Sequence, residues 1–394
     1  MGERVANLRA QRGMSQRELA AAVSRSESWV SQVERDVIVI ERIPVLQALA
    51  DALNVTIAEL RGTDPEPVAG ERRSDMDALR LALSGHPAAA QVFPTTAAEE
   101  IDLDTYGQRV RQGWEALHDS RFVDVNTLLV ALVPDIEKAR RLCRPGQRPD
   151  LDALTAEAYQ IAASAFARLG EADAAWLAAD RALFVAEQAG RPLSALAGLF
   201  RMAHAFVTLG RYEQAESVTR AGIQALETRD EQHPEALSVR GALYLALAIS
   251  HAKAGERAPA REALDHAERI AAQIGEDRND FGTEFGPTNV RLHAVAVAVE
   301  LGDAGYALEL AHDIDATGLS PERQSRLWLD IARAYGQRRH TGEAITALLR
   351  AEQLAPEQIC SHELARNLIR ELLATAGRRP PEELTNLARR CAAT

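Results

Sequence analysis

Side chains that could contact a nucleic acid are concentrated between residues 15 and 36 of this 394-residue sequence, in the stretch SQRELAAAVSRSESWVSQVERD. Amide, hydroxyl and guanidinium groups of this kind bind phosphates and base edges. Gln16 at a helix start suits a phosphate, Gln32 suits an adenine edge, and Glu27 would accept a hydrogen bond from cytosine. The candidate DNA contacts are Gln16, Arg17, Arg25, Ser26, Glu27, Ser28, Ser31, Gln32 and Arg35.

Two short helices joined by a tight turn are predicted to position these side chains. Ser15 and Glu18 have the Ser-x-x-Glu spacing of a capping box, which predicts that a helix begins at Gln16. Apolar residues then recur at helical spacing, stop at a Ser-Arg-Ser run and resume, which predicts a second helix over residues 27–35. With its apolar side turned inward, this second helix presents polar side chains as a recognition helix does in a major groove. The inward positions are Leu19, Ala20, Val23, Trp29, Val30 and Val33.

Residues 1–62 resemble the XRE, or phage-repressor, type of helix-turn-helix domain. The resemblance implies a five-helix DNA-binding domain, and the remaining helices are predicted at residues 1–12, 43–53 and 57–60. Ser24 and Asp36 stand where that family usually has glycine, although both residue types tolerate turns. The residues that carry the resemblance are Ser15, Gln16, Leu19, Ala20, Ser31, Gln32, Glu34, Arg35, Leu49, Ala50 and Leu53.

The charge distribution favours a dimer over a monomer on DNA. The whole chain has a net charge of -12, but residues 1–62 contain eight arginines and eight acidic residues, so all the excess acid lies beyond them. Counterion release by basic side chains supplies much of the affinity for DNA, so a single neutral domain should bind weakly. A homodimer would double the contacts.

Composition and motifs bound the class of protein. With 46% hydrophobic and 26% charged residues, the sequence is typical of a soluble globular protein of more than one domain. It has no membrane-length apolar run and no signal sequence, so we expect a cytoplasmic protein. The three cysteines are odd in number and far apart, which predicts neither a disulfide framework nor a metal site. No P-loop, zinc helix, Cys-x-x-Cys pair or nucleophile elbow is present, and we expect neither an enzyme nor a cofactor.

Residues 63–75 are predicted to form a linker, because they contain proline, glycine and charged residues without periodicity. Residues 76–394 are helical in pattern and contain a degenerate repeat, in which small residues recur seven before and five and twelve after a reference position. This resembles the tetratricopeptide repeat, although the spacings of 37 to 50 residues exceed that family's length of about 34. We predict six helix pairs between residues 103 and 356, closing helices over 357–390, and a curved α-solenoid whose concave face is lined by the first helix of each pair. The reference positions are Ser120, Gly170, Gly210, Gly255, Gly302 and Arg339.

An effector site is predicted on that concave face. The segment DRNDFGTEFGPTNV, residues 277–290, interrupts the repeat, either as an inter-repeat loop that packs its two phenylalanines or as the wall of a pocket. The inward positions could hold a peptide or a small acidic signal, or could be hydrated groove residues without a ligand; single histidines there are more often satisfied polar residues than catalysts. The candidates are Trp114, His118, Gln160, Ser164, Phe200, His204, Phe281, Phe285, Asn289, Arg326 and Arg333.

Nearly the whole chain resembles actinobacterial XRE regulators with tetratricopeptide-like bodies. The segments FGPTNV and VAVAVELGDAG carry this resemblance. The plan is similar to that of peptide-sensing regulators, whose asparagines on this face clamp the ligand backbone, and by resemblance Asn289 is the best single candidate. The resemblance implies a homodimeric transcriptional regulator on a palindromic DNA operator, modulated by a peptide or small molecule. An adaptor that acts mainly through a protein partner is the alternative.

Overall fold

The computed structural model describes residues 2–12, 14–23, 25–35, 43–53, 55, 77–83, 100–229, 232–376 and 380–393. The chain divides into two compact units, Met1–Ser74 and Asp75–Thr394. Regular structure in the described residues is helical apart from isolated β-bridge residues, among them the antiparallel pair Arg278 and Phe285. The predicted all-α fold is therefore confirmed. The predicted linker at 63–75 lies outside the described residues, and the domain limits 1–62 and 76–394 stay predictions.

Four helices are described in the N-terminal unit, and three of the predicted ones agree with them to within one residue. Ser15 caps the second helix as expected: its hydroxyl accepts from the Glu18 N–H at 3.2 Å, and the Glu18 carboxylate accepts from the Ser15 N–H at 2.7 Å. The helix predicted at 57–60 and the turns at Ser24 and Asp36 lie outside the described residues. The helices are α1 Gly2–Gln11, α2 Gln16–Ala22, α3 Glu27–Glu34 and α4 Ile43–Leu53.

A small apolar core holds these helices together. The apolar faces of α2 and α3 point inward as predicted, and α4 closes the core with three leucines and an alanine. An ion pair reinforces it at the edge, since Arg9 Nε lies 2.5 Å from Glu34 Oε1. The buried core residues are Val5, Leu19, Ala20, Val23, Val30, Val33, Leu46, Leu49, Ala50 and Leu53.

In the second unit, a helix α5 at 77–83 precedes six helix pairs in the described residues between 103 and 354. Four of the first helices begin with proline, whose missing N–H and fixed φ suit that position. The first helices are α6 Leu103–His118, α8 Arg148–Arg168, α10 Pro192–Thr208, α12 Pro234–Lys253, α14 Pro287–Glu300 and α16 Pro321–Gln337. The second helices are α7 Phe122–Leu142, α9 Ala172–Gln188, α11 Tyr212–Thr228, α13 Arg257–Ile274, α15 Ala304–His312 and α17 Thr341–Leu354. The closing helices are α18 Pro356–Ser361, α19 Glu363–Ala376 and α20 Glu382–Arg390.

The predicted repeat register is confirmed by the backbone. All six reference positions have a positive φ, between 57° at Ser120 and 80° at Gly255 and Gly302, and each follows the end of a first helix. The residue after each reference donates its N–H to the carbonyl four residues before the reference, as Glu171 does to Phe166 at 2.8 Å. This left-handed helix ending turns the chain into the second helix of each pair.

Small residues of the repeat lie where helices approach most closely. The alanines seven before and five after Gly170, Ala163 and Ala175, are at most 1% exposed. At Gly222 a Cβ would lie only 2.8 Å from Leu243 Cδ1. A bulkier side chain would push the paired helices apart, because protein interiors are close-packed.

The solenoid curls until its first helix pair contacts its last. α6 packs against α16. The Ser120 hydroxyl lies 2.7 Å from Gln358 Oε1, and the Val123 N–H donates to Glu357 Oε2 at 3.1 Å. The concave face therefore becomes an inner groove bounded by both ends of the repeat array.

The cysteine prediction was wrong for one pair. Cys360 in α18 and Cys391 after α20 form a disulfide, with their Cα atoms 4.3 Å apart. The closing helices fold back on one another and bring the two residues together across 31 positions, a proximity that sequence separation does not reveal. Cys143 is a free thiol.

Candidate functional site

The start of α3 is fixed by a side-chain cap. The Ser26 hydroxyl accepts a hydrogen bond from the Trp29 N–H at 3.2 Å, which satisfies one of the free donors at the helix start. Glu27 and Ser28 consequently lie in the first turn, and both are exposed. Ser26, predicted as a contact residue, therefore also caps α3, a role that was not predicted.

The predicted DNA contacts differ in exposure. Ser31 and Gln32 are half-buried along the side of α3, and Gln16 is half-buried at the start of α2. The Gln16 amide donates to Glu34 Oε2 at 2.6 Å, so this side chain links α2 to α3. The exposed predicted contacts are Arg17, Arg25, Ser26, Glu27, Ser28 and Arg35.

Two of the exposed arginines are held by local contacts. The Arg25 guanidinium lies 5.7 Å from the centre of the Trp29 ring, a cation–π distance. Arg35 Nε donates to the Ser31 carbonyl at 3.1 Å, within the same helical turn. These contacts orient two cations that are free to approach a phosphate backbone.

The segment at residues 277–290 lies within the inner groove, where four consecutive carbonyls accept hydrogen bonds from groove side chains. Arg201 Nη2 donates to the carbonyls of Phe281 and Gly282, each at 2.8 Å. Arg323 Nη2 donates to the Thr283 carbonyl at 3.3 Å, and Asn289 Nδ2 to the Glu284 carbonyl at 2.5 Å. The groove therefore binds a stretch of its own main chain. The binding residues are Arg201, Arg323 and Asn289.

Asn289, the best single effector candidate, is 1% exposed and its amide nitrogen is used within the chain. Its Oδ1 is buried and has no hydrogen-bond partner in the part of the chain that the structure describes. Its carbonyl lies 2.9 Å from His293 Nδ1 one turn further along α14. The side chain thus orders the segment, and one polar atom is left over.

Aromatic candidates form one wall of the groove. The Trp114 and His118 rings stack at 5.7 Å, and Arg201 lies 5.3 Å from the Trp114 ring. Phe200 and His204 meet edge to face at 4.5 Å. Burial and the charge of Arg201 lower the pKa of His204 well below its usual range. This histidine is therefore neutral at pH 7.

Three other candidates pack between elements. Gln160 Nε2 donates to the Ser194 carbonyl at 2.9 Å and so joins α8 to α10, and the Ser164 hydroxyl donates back to the Gln160 carbonyl. Phe285 is fully buried against α12, where Gly241 leaves room for its ring. The packing interpretation of the segment therefore holds for Phe285.

The two arginine candidates have different partners. Arg333 Nη1 lies 3.0 Å from Glu300 and 2.9 Å from Asp330, so its charge is matched. Arg326 Nη1 lies 3.4 Å from His362 Nε2. Burial and the charge of Arg326 lower the pKa of His362 to about 3, which leaves that ring neutral.

Several titratable groups in the groove were not predicted as site residues. Glu322 is 2% exposed and lies 3.4 Å from Arg168 Nη2 and from Arg323 Nε. Burial would raise the pKa of Glu322, but these two guanidinium groups hold it below its usual range. Arg168 and Glu322 are 154 positions apart, so no local pattern pairs them. The missed residues are Arg168, Arg201, Glu284, His293, Glu322, Arg323 and His362.

One set of described residues has metal-ligand types in proximity, namely Glu352, Cys360 and Cys391. The two sulfurs are bonded to each other, and Glu352 lies 2.6 Å from Arg390 Nε. A disulfide sulfur is not the thiolate that binds metals, so this set does not fit a metal ion as it stands.

Comparisons with known proteins bear on the N-terminal unit. Residues 1–61 match a family model described as a helix-turn-helix domain. This match and the capped α2–α3 unit place the chain in the class of DNA-binding transcription regulators. No curated protein matches the chain.

Two solved structures have a weak similarity to the chain. PlcR of Bacillus thuringiensis in complex with the peptide PapR7 and DNA has 16% identity and a TM-score of 0.27, over 70% of this chain and 95% of that one. A Rap protein complexed with competence and sporulation factor has 16% identity and a TM-score of 0.37, over 92% of this chain and 100% of that one. Superpositions this loose carry no argument about this chain. Separately, no helix in the described residues is both long and apolar enough to cross a membrane.

Proposed function

We propose that this protein is a sequence-specific transcriptional regulator that binds a palindromic operator as a homodimer. A peptide or small-molecule signal held in the inner groove modulates its binding to DNA. The proposal includes a cytoplasmic location and no catalytic activity.

The observation that carries the proposal is the capped α2–α3 unit. Hydroxyl caps at Ser15 and Ser26 fix the two helix starts, and the start of α3 exposes Glu27 and Ser28 near Arg25, whose guanidinium is held by the Trp29 ring. A helix whose first turn carries polar groups outward, above a buried apolar face, is suited to a major groove.

Dimerisation is supported by charge and by exposed apolar area. The N-terminal 62 residues are neutral, so one copy has little net attraction to phosphates. On α9, Leu177 is 42% exposed and Phe184 is 59% exposed, and their seven-residue spacing places them on one side of the helix. Such a side could pack against a second copy.

In-vitro selection of DNA bound by the full chain tests this function. We expect a palindrome whose half-sites lie one helical turn, about 34–36 Å, apart. Enrichment of no sequence over random DNA, at a salt concentration where binding is measurable, would rule out sequence-specific recognition.

The same exposed side of α9 also favours the adaptor alternative, in which the solenoid binds another protein. A stable stoichiometric partner recovered with the parent, but not with a Leu177→Ser, Phe184→Ser double variant, would support that role. If those substitutions instead convert a dimer to a monomer in light scattering, the surface serves dimerisation.

A further inference from the structure

Four guanidinium groups converge in the inner groove from three different helices, and two carboxylates lie among them. Arg168 Nη2 is 3.4 Å from Glu322, and Arg323 Nε is 3.3 Å from Glu284 and 3.4 Å from Glu322. The charges of Arg168, Arg323 and Arg326 shift the pKa values of neighbouring groups, including that of Arg201. All four arginines therefore lie in one electrostatic environment. The arginine cluster consists of Arg168, Arg201, Arg323 and Arg326.

Two positive charges of the cluster are unmatched. The ion pairs of the described residues engage Arg168 and Arg323 but neither Arg201 nor Arg326. Arg201 is 6% exposed, and among the described residues it donates only to two carbonyls, through Nη2, while its buried Nε has no partner there. Buried charges are normally paired, because their removal from water is costly.

The charge of the arginine cluster also shifts the pKa values of the histidines beside it. Burial and the charges of Arg323 and Arg326 lower the pKa of His293 to about 3, and burial and Arg201 lower that of His204. Burial and the charges of Arg168 and Arg323 also lower the pKa of Arg201 to about 9. Burial is the largest cause of these shifts, and the neighbouring arginines add to it in the direction expected of excess positive charge, which an anion at this position would relieve.

Part of the cluster keeps some solvent exposure. The side chains of Arg168 and Arg323 are 14% and 13% exposed, and His204 and His293 are half-buried residues. Guanidinium groups have a planar fork of donors that matches the oxygens of a carboxylate or phosphate.

We propose that the arginine cluster binds a small oxyanion ligand with about two negative charges, supplied either by a phosphoryl group or by two carboxylates. Arg201 and Arg326 supply the unmatched charges, and Arg168 and Arg323 complete the site beside their glutamates. The proposal deepens the effector role of the groove and rests on the proposed function only for its consequence at DNA.

A small anion fits this groove better than an extended peptide. The donors that would bind a peptide main chain, on Arg201, Arg323 and Asn289, already bind the carbonyls of residues 281–284. A peptide would have to displace this segment. An oxyanion needs only the unmatched guanidinium edges.

Calorimetric titration of the full chain with inorganic phosphate, and separately with malonate, tests the proposal at constant ionic strength. We expect saturable binding at one site per chain and a Tm that rises by about 2–4 °C at tenfold above the Kd. Binding of phosphate alone identifies a phosphoryl site, and binding of malonate alone a dicarboxylate site. If neither binds more than chloride does, the proposal is wrong.

Variants locate the site. Arg326→Gln should weaken binding of the phosphate or malonate probe by at least about tenfold, because it removes one charge-assisted donor. Without anion it should unfold at or above the temperature of the parent, since it also removes an unmatched charge. Arg350→Gln on the outer helix α17, where Arg350 is exposed, is the matched control and should bind as the parent does. Equal affinity in all three proteins would place the anion elsewhere and overturn the assignment.

The same samples separate this proposal from the regulatory one. If phosphate or malonate changes the Kd for the selected DNA by about five- to 150-fold, both stand. If the probe binds with the expected dependence on Arg326 but leaves the Kd for DNA unchanged, the anion site stands and its effector role fails.

Discussion

The Ser120 hydroxyl and the Gln358 amide oxygen lie 2.7 Å apart, both buried, although 238 positions separate them. Gln358 Nε2 also donates to Glu322 at 3.3 Å, so one amide joins the first helix pair to the arginine cluster. This contact closes the repeat array on itself. A ligand in the groove is consequently surrounded by both ends of the solenoid.

Replacing Gln358 with alanine should destabilise the protein by about 1–3 kcal/mol. The change leaves the Ser120 hydroxyl and an oxygen of Glu322 buried without their partner. Urea unfolding followed by circular dichroism measures the loss. Gln353→Ala, at an exposed position of α17, is the control and should stay within about 0.5 kcal/mol of the parent. A Gln358 variant as stable as this control would show that the closure contributes nothing.

The strained helix ending at Arg339 offers a stabilising change. Arg339 has φ 61° and an exposed side chain, so Arg339→Gly removes the steric penalty of the left-handed region and should add about 1 kcal/mol of stability. Gly302→Ala is the inverse test, because φ is 80° there and a Cβ would meet open space. It should cost about 1 kcal/mol in the same denaturation assay. Two changes of the same sign would contradict the assignment of strain to φ.

Local sequence patterns correctly predicted the features that depend on residues close together in the chain. The Ser15–Glu18 capping box spans four residues, and each repeat reference lies next to the helix end that it terminates, so spacing alone identifies them. The all-α fold follows from the same short-range periodicity.

The contacts inside the groove could not be predicted from residue spacing. Arg168 meets Glu322 only because the helices from α9 to α15, which separate them in the chain, curl the solenoid by a particular amount. The Cys360–Cys391 bond likewise depends on how the closing helices fold back. Candidates such as Gln160 lie on the correct face of a first helix but are covered by the next repeat, and sequence register does not specify that burial.

The free energy of unfolding should fall as the pH is lowered from 7 to 5. The folded-state pKa values of His204, His293 and His362 are depressed, whereas the unfolded chain takes up protons below about pH 6.5. The unfolded state therefore binds more protons in this window, and each histidine contributes a loss of up to about 1.4 kcal/mol per pH unit. Glu322, whose pKa is also lowered, loses its contribution only below about pH 4.5, so the range above pH 5 isolates the histidines.

Urea unfolding at a series of pH values measures this dependence. His293→Asn should reduce the slope of stability against pH. His312→Asn, at the exposed last residue of α15, should leave that slope unchanged. Identical slopes in the parent and the His293 variant would show that this ring is not held neutral in the folded protein.

Reduction of the Cys360–Cys391 disulfide should destabilise the closing helices by about 2–4 kcal/mol, because the bond closes a loop of 31 residues in the unfolded chain. Cys391→Ser should reproduce the effect of a reductant and make the protein insensitive to it. Cys143→Ser keeps the bond and should retain full sensitivity. If the Tm of the parent protein does not change with reductant, although thiol titration shows that the bond is cleaved, the disulfide does not stabilise the closing helices.

Gln32 tests whether α3 reads base edges. It lies half-buried on the side of α3 between the exposed first turn and Arg35, where an amide could bond an adenine at one operator position. Gln32→Ala should therefore cost about 1–3 kcal/mol on the selected operator and nothing on an operator changed at that one base pair. Arg35→Gln, which removes a cation rather than a base-reading group, should weaken binding to both DNAs alike and lower the salt dependence of the affinity. If the Gln32 variant binds every single-base variant of the operator as the parent does, α3 is not the helix that specifies sequence.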